Sequence, residues 1–210
     1  MPLQPAPDHM YSYRNKTITC FGYDTDGNAS YKFNSLGYRG EEFNSCHPAI
    51  ICLGNTCTFG LGLSYSETFA GIIENNVSCS VYNFAWGCYK HTNKDQLYLL
   101  KNILGEIKPR HVIFQINNLD RIKVNGLIFS NNTNESVLQE YTEFKIALDT
   151  ILKNLPHSLL YWDNKNYPID FSDCLIYNKY HVDNSIFTNT NTFGKKTHQL
   201  IAKKLLQQNL

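Results

Sequence analysis

The sequence predicts an α/β fold: a three-layer α/β/α sandwich on a mostly parallel, five-stranded sheet of flavodoxin-like type, with an N-terminal extension. Three observations carry this. From Ala49 onward, short apolar runs alternate with segments of helical period. Those runs are apolar throughout rather than at every second residue, the pattern of strands covered on both faces. At 210 residues the chain can bury one sizeable core, and a second complete domain would leave each part small.

The elements follow in order. Residues 1–48 are rich in Tyr, Asn, Gly and Ser, with strand-like pieces at Thr17–Gly22 and Tyr31–Phe33 and no helical period, so they are expected to form an extension packed on a domain spanning 49–210. Ala49–Leu53 predicts the first strand of that domain. Ser66–Ile73 predicts a helix capped by Ser66, with Phe69, Ile72 and Ile73 on one face. Val77–Phe84 is expected as a strand, Asp95–Ile107 as a helix and His111–Ile116 as a strand. Glu135–Leu155 has the spacing of a long amphipathic helix stopped by Pro156, Ser158–Trp162 and Cys174–Tyr177 of two more strands, and Gly194–Gln208 of a closing helix.

Composition narrows the function classes. Hydrophobic residues at 42% and charged residues at 18% fit a globular chain, and a net charge of +1 offers nucleic acid or an anionic membrane no electrostatic handle. No apolar run approaches the roughly 18 residues of a membrane span, and "MPLQPAPDHMYSYRNK" lacks the apolar centre of a signal peptide; the expected location is the cytoplasm. The 7 cysteines are scattered without a CxxC pair, which favours free, mostly buried thiols over a disulfide or metal framework. With no Walker A loop, HExxH or dinucleotide fingerprint, neither a cofactor nor a metal is expected.

In an open parallel sheet the ligand site lies beyond the carboxyl ends of the strands. The segments there are "GNTCTFGLGLSYSET" after the first strand, "NFAWGCYKHT" after the second, "QINNLDR" after the third, and "TNTNTFGKKTHQLIAKKL" into the last helix. Together with the lead-in "FNSLGYRGEEF", these four blocks, in order and at the right intervals, resemble the SGNH (GDSL) hydrolase family over most of the chain. The resemblance implies an acyl-ester hydrolase ancestry, with a small ester or acylated carbohydrate as the partner.

It also implies roles for residues. The family's nucleophilic serine matches Thr56 and the aspartate before it matches Asn55. Its oxyanion hole uses the backbone N–H of the nucleophile, the N–H of a second-block glycine, matching Gly87, and a third-block asparagine, matching Asn118 with Asn117 a close competitor. The family's final Asp and His fall on Asn189, or Asn191 at a shorter spacing, and on Thr192. Neither an amide nor an alcohol takes a proton near neutral pH, and the methyl of threonine crowds attack from a loop shaped for serine. In a serine hydrolase, loss of the serine or histidine costs about 10⁶ in turnover, while donors and binding retain about 10³ to 10⁴ over water. The expectation is therefore a site that binds and cleaves little or nothing.

The rival expectation is an active esterase or acyltransferase in which Thr56 attacks and either His181, with Asp183 two residues on, or His198 on the last helix serves as base. Cys57 and Cys88, the latter with His91 close by, are candidate thiols whose simpler role is packing. Trp86 suits a pocket wall, and Arg121 an anionic ligand or an ion pair with Asp120 or Glu140.

Overall fold

The computed structural model of the chain describes residues 3–21, 28–44, 48–87, 91–117, 121–124, 127–130, 134–161, 174–176, 194–208 and 210. Ahead of the sheet lie helix α1 (Asp8–Tyr11) and an antiparallel hairpin of β1 (Thr17–Phe21) and β2 (Asn28–Lys32). β2 alternates exposed and buried residues, so Ala29 and Tyr31 turn inward while Asn28, Ser30 and Lys32 face water.

The sheet elements follow: β3 (Ala49–Leu53), α2 (Thr56–Phe59), a 3₁₀ turn (Tyr65–Glu67), α3 (Phe69–Glu74), β4 (Ser80–Asn83), α4 (Asn93–Leu104) and β5 (Pro109–Ile116). Beyond them come the hairpin β6 (Arg121–Val124) and β7 (Leu127–Ser130), α5 (Asn134–Leu152), β8 (His157–Tyr161), β9 (Cys174–Ile176) and α6 (Lys195–Leu206). Five strands pair in the order β4-β3-β5-β8-β9, each neighbour parallel.

Side-chain direction along the strands divides the core in two. Ala49, Ile51 and Leu53 of β3, Val112, Phe114 and Ile116 of β5, and Leu159 and Tyr161 of β8 pack with Leu97, Leu100, Phe144 and Leu148 of α4 and α5. The intervening Ile50, Cys52, Ile113 and Leu160 pack on the opposite face with Phe69, Ile73, Ile201 and Leu205 of α3 and α6. Period two in a strand puts neighbours on opposite faces, and here both faces are apolar because both are covered. The molecule is thus a three-layer α/β sandwich. Met10, Tyr31, Phe33 and Tyr38, from the segment before Ala49, belong to the α4–α5 layer.

Several boundaries differ from the sequence expectation. The helix predicted from Ser66 is two elements: Ser64 opens the 3₁₀ turn in a capping box with Glu67, and Thr68, in extended backbone, caps α3 by accepting the Gly71 N–H at 3.1 Å. Two competing caps four residues apart split what apolar spacing alone joins. Thr92 and Asp95 form a capping box that starts α4 at Asn93, two residues early. The hairpin of β6 and β7 has no counterpart in the sequence reading. Among the described residues, no helix is long and apolar enough to cross a membrane.

Candidate active site

β3 connects to β4 on one side of the sheet and β5 connects to β8 on the other, so the loops leaving β3 and β5 diverge. A crevice at the carboxyl ends of such a pair is where open α/β sheets bind ligands. Gly54 and Asn117 occupy the two lips.

The β3 lip is tightly determined. The Gly54 carbonyl accepts the Trp86 N–H at 3.0 Å. A Cβ on Gly54 would overlap Thr58 Oγ1 and lie 2.5 Å from Gln115 Oε1 and 2.6 Å from Thr58 Cβ, so no side chain fits. Asn55 follows in extended backbone as the N-cap of α2, its Oδ1 accepting the Cys57 N–H at 2.9 Å. A neutral amide thus does the capping that an aspartate would do, without the charge. Gly60 closes the single turn at φ +75°, where the Leu61 N–H reaches back to the Thr56 carbonyl at 3.1 Å.

Carbonyls at the end of α2 and in the turn that follows it are taken by Arg39, buried to 2% exposure. Its Nη1 donates to the Phe59 and Gly60 carbonyls, each at 2.8 Å, and its Nη2 donates to the Leu63 carbonyl. The guanidinium lies over the Tyr31 ring, 4.2 Å from the centroid, and near the rings of Phe59 and Tyr65. A buried cation is tolerated here because carbonyl dipoles and ring faces surround it.

Gln115, the last polar side chain of β5, joins the two lips. Its Oε1 accepts the Asn55 N–H at 3.0 Å and the Thr58 hydroxyl at 2.7 Å, which fixes the amide's orientation. Its Nε2 therefore faces the Asn117 Oδ1 at 3.5 Å. The Asn117 backbone is clamped by Asn93, which accepts the Asn117 N–H at 2.7 Å and donates to the Asn117 carbonyl at 3.3 Å. With its Oδ1 turned to Gln115, Asn117 presents Nδ2 away from it, and this buried donor has no partner among the described residues.

Thr56 is in the same condition. It is 1% exposed, and its Oγ1 has no hydrogen-bond partner among the described residues. Gly87, which the resemblance makes a candidate donor, is engaged: its N–H donates to the Met10 Sδ at 3.2 Å, and a Cβ on Gly87 would meet the Phe59 ring at 3.2 Å. Beside it, Trp86 and the fully buried His91 pack edge to face with centroids 4.9 Å apart.

His198 is placed by α6 against α3. Its ring stacks on Phe69 at 5.6 Å, and its Nδ1 accepts the Phe69 N–H at 2.9 Å, so that nitrogen carries no proton. Burial, aided by the Arg39 charge, holds it neutral by lowering its pKa to about 3. Cys57 is a buried thiol of the α3–α6 layer, and Glu140 pairs with Lys94 at 3.5 Å. Asn118, His181, Asp183, Asn189, Asn191, Thr192, Cys88 and Asp120 lie outside the described residues. Among those described, no cluster of three His, Cys, Asp or Glu side chains could hold a metal ion. The cavity of about 660 Å³ lined by Glu74, Cys79 and Arg110 lies at the amino ends of the strands, away from these residues.

Sequence reasoning missed Gln115, Thr58, Asn93, Arg39 and Met10. Two left a signal: Gln115 is the polar interruption in "HVIFQI", and Arg39 lies in the lead-in "FNSLGYRGEEF".

The strand order and the position of the crevice define an open, mostly parallel α/β sandwich. No family model matches the chain, and no curated protein matches its sequence. Solved structures do. The psychrotrophic esterase EstA from Pseudoalteromonas sp. superposes with a TM-score of 0.50 at 15% identity, covering 76% of this chain and 94% of its own. A carbohydrate esterase family 2 enzyme of Corynascus thermopiles (Myceliophthora fergusii) matches with a TM-score of 0.50 at 10% identity, covering 80% of this chain and 67% of its own. The chain has the SGNH (GDSL) hydrolase fold.

Proposed function

We propose that this protein binds a small ester or acylated carbohydrate at the carboxyl ends of β3, β4 and β5, and turns esters over weakly or not at all. The observation that carries the reading is the hydroxyl of Thr56, which the resemblance matches to the nucleophilic serine: it is buried and has no hydrogen-bond partner among the described residues. An alcohol becomes a nucleophile only when something takes its proton. Asn117 supports the binding half: a buried amide donor with no partner among the described residues is a costly feature unless a ligand, water or another residue satisfies it. The esterase names of the neighbours support the ligand class. His198 supports the non-catalytic half, because its acceptor nitrogen is spent on Phe69.

The test is hydrolysis of p-nitrophenyl acetate by the full chain, alongside Thr56→Ala and His181→Ala. The expected result is a wild-type rate within about tenfold of both variants. A rate that collapses in Thr56→Ala would establish an esterase in which Thr56 attacks, and collapse in His181→Ala as well would name its base.

A further inference from the structure

Met10 reaches the site from a segment held in place by backbone contacts. The Ala6 N–H donates to the Leu36 carbonyl at 2.8 Å, the Asn15 N–H to the Asn34 carbonyl at 3.2 Å, and the Phe33 N–H to the Lys16 carbonyl at 2.9 Å. Gly37, at φ +81°, lets α1 approach so closely that a Cβ there would lie 2.7 Å from Tyr11 Cα. α1 is thereby aimed at the end of β4. Met10 is 3% exposed, and its sulfur takes the N–H of Gly87.

This contact is chemically lopsided. A thioether is a weak acceptor, whereas a carbonyl, carboxylate or phosphonate oxygen is a strong one and shortens the bond. Methionine is also the most easily rearranged apolar side chain, unbranched and with three rotatable bonds. We propose that Met10 is a built-in, displaceable occupant of the strand-end site: its thioether holds the Gly87 N–H until a ligand oxygen takes that donor over. The inference rests on the reading that this crevice holds an acyl ligand, and it adds that the ligand must compete with the chain's own α1.

Ethylphosphonate, a tetrahedral anion, is the probe, titrated into ¹⁵N,¹³C-methyl-methionine-labelled full-length protein and into Met10→Leu, which keeps the volume and removes the acceptor. In the ligand-free state, the Gly87 amide should exchange with solvent at least tenfold faster in Met10→Leu than in wild type; equal rates overturn the proposal. On titration of wild type, the Gly87 amide proton should move downfield together with the Met10 methyl resonance, and Met10→Leu should bind at least threefold tighter. Binding that leaves the Met10 methyl and Gly87 amide in place overturns the displacement while supporting the ligand site. Binding by neither protein refutes the ligand reading, and displacement with it.

Discussion

Gln115→Leu removes the one acceptor shared by the two lips of the crevice. The Asn55 N–H and the Thr58 hydroxyl, now bonded to Oε1 at 3.0 and 2.7 Å, would be left buried and unpaired. Each orphaned donor costs about 1–3 kcal/mol, and the gain from a buried leucine returns about 1 kcal/mol, so the net loss should be about 3 kcal/mol. With a urea m-value of about 2–3 kcal/mol/M, the unfolding midpoint should fall by about 1–1.5 M, followed by tryptophan fluorescence. A cycle with Thr58→Val locates the loss. Once Gln115 is leucine, the hydroxyl is already unpaired, so Thr58→Val should cost at least 1 kcal/mol less than in the wild-type background. Additive losses, or a midpoint within 0.3 M of wild type as an order-of-magnitude threshold, would refute the assignment of Gln115 as the tie between β3 and β5.

Arg39→Met should cost about 3–5 kcal/mol, because the Phe59, Gly60 and Leu63 carbonyls lose the guanidinium and Gly60 keeps only the Leu63 N–H at 3.2 Å, and Arg39→Lys should recover little since one ammonium cannot span the guanidinium fork. At about 2–4 °C per kcal/mol for a chain of this size, calorimetry should show a drop of roughly 6–20 °C; an unchanged Tm for either variant refutes the role. His198 predicts an acid limb. Its folded pKa, near 3, lies below the unfolded value of 6.5, so the unfolded state binds the extra proton. Stability from this residue is complete above pH 6.5 and is lost as pH falls toward 3, about 2 kcal/mol of it between pH 7 and pH 5. His111, lowered to about 4 by burial and by His157, contributes in the same sense. His198→Asn, which keeps an acceptor near the Nδ1 position, should lose about 2 kcal/mol less than wild type over that interval in urea titrations; identical pH dependence would show that His198 is not held neutral.

What was legible in the sequence follows the range of the interaction. Gly54-Asn55-Thr56 could be read as a strand-end turn because its determinants are local: the cap is two residues from its acceptor, and the αL glycine closes the same turn. The split of Ser66–Ile73 was also local but was missed, because two caps were present and apolar period was given precedence over both. Gln115 could not be assigned: it serves donors 57 and 60 residues away, and a polar residue in an apolar run is ambiguous until those donors have positions. The choice between Asn118 and Asn117 was open for the same reason; Asn117 places a buried Nδ2 at the lip with no partner among the described residues, and Asn118 lies outside them.

By itself, then, the sequence determined the class of fold and the expectation of a site at the carboxyl ends of the strands. Doubly apolar strands require cover on both faces, and parallel strands joined through helices collect their loops at the carboxyl end. By resemblance it also set the expectation that the acid, base and nucleophile positions fall on Asn189, Thr192 and Thr56. Only the tertiary structure decided who occupies the donors. Met10 and Gly87 are separated by 77 residues, and no pattern in either segment implies that a thioether from the first helix meets the glycine amide after β4. That contact exists because residues 6–34 are anchored by their backbone, and because Gly37 lacks the Cβ that would hold α1 away.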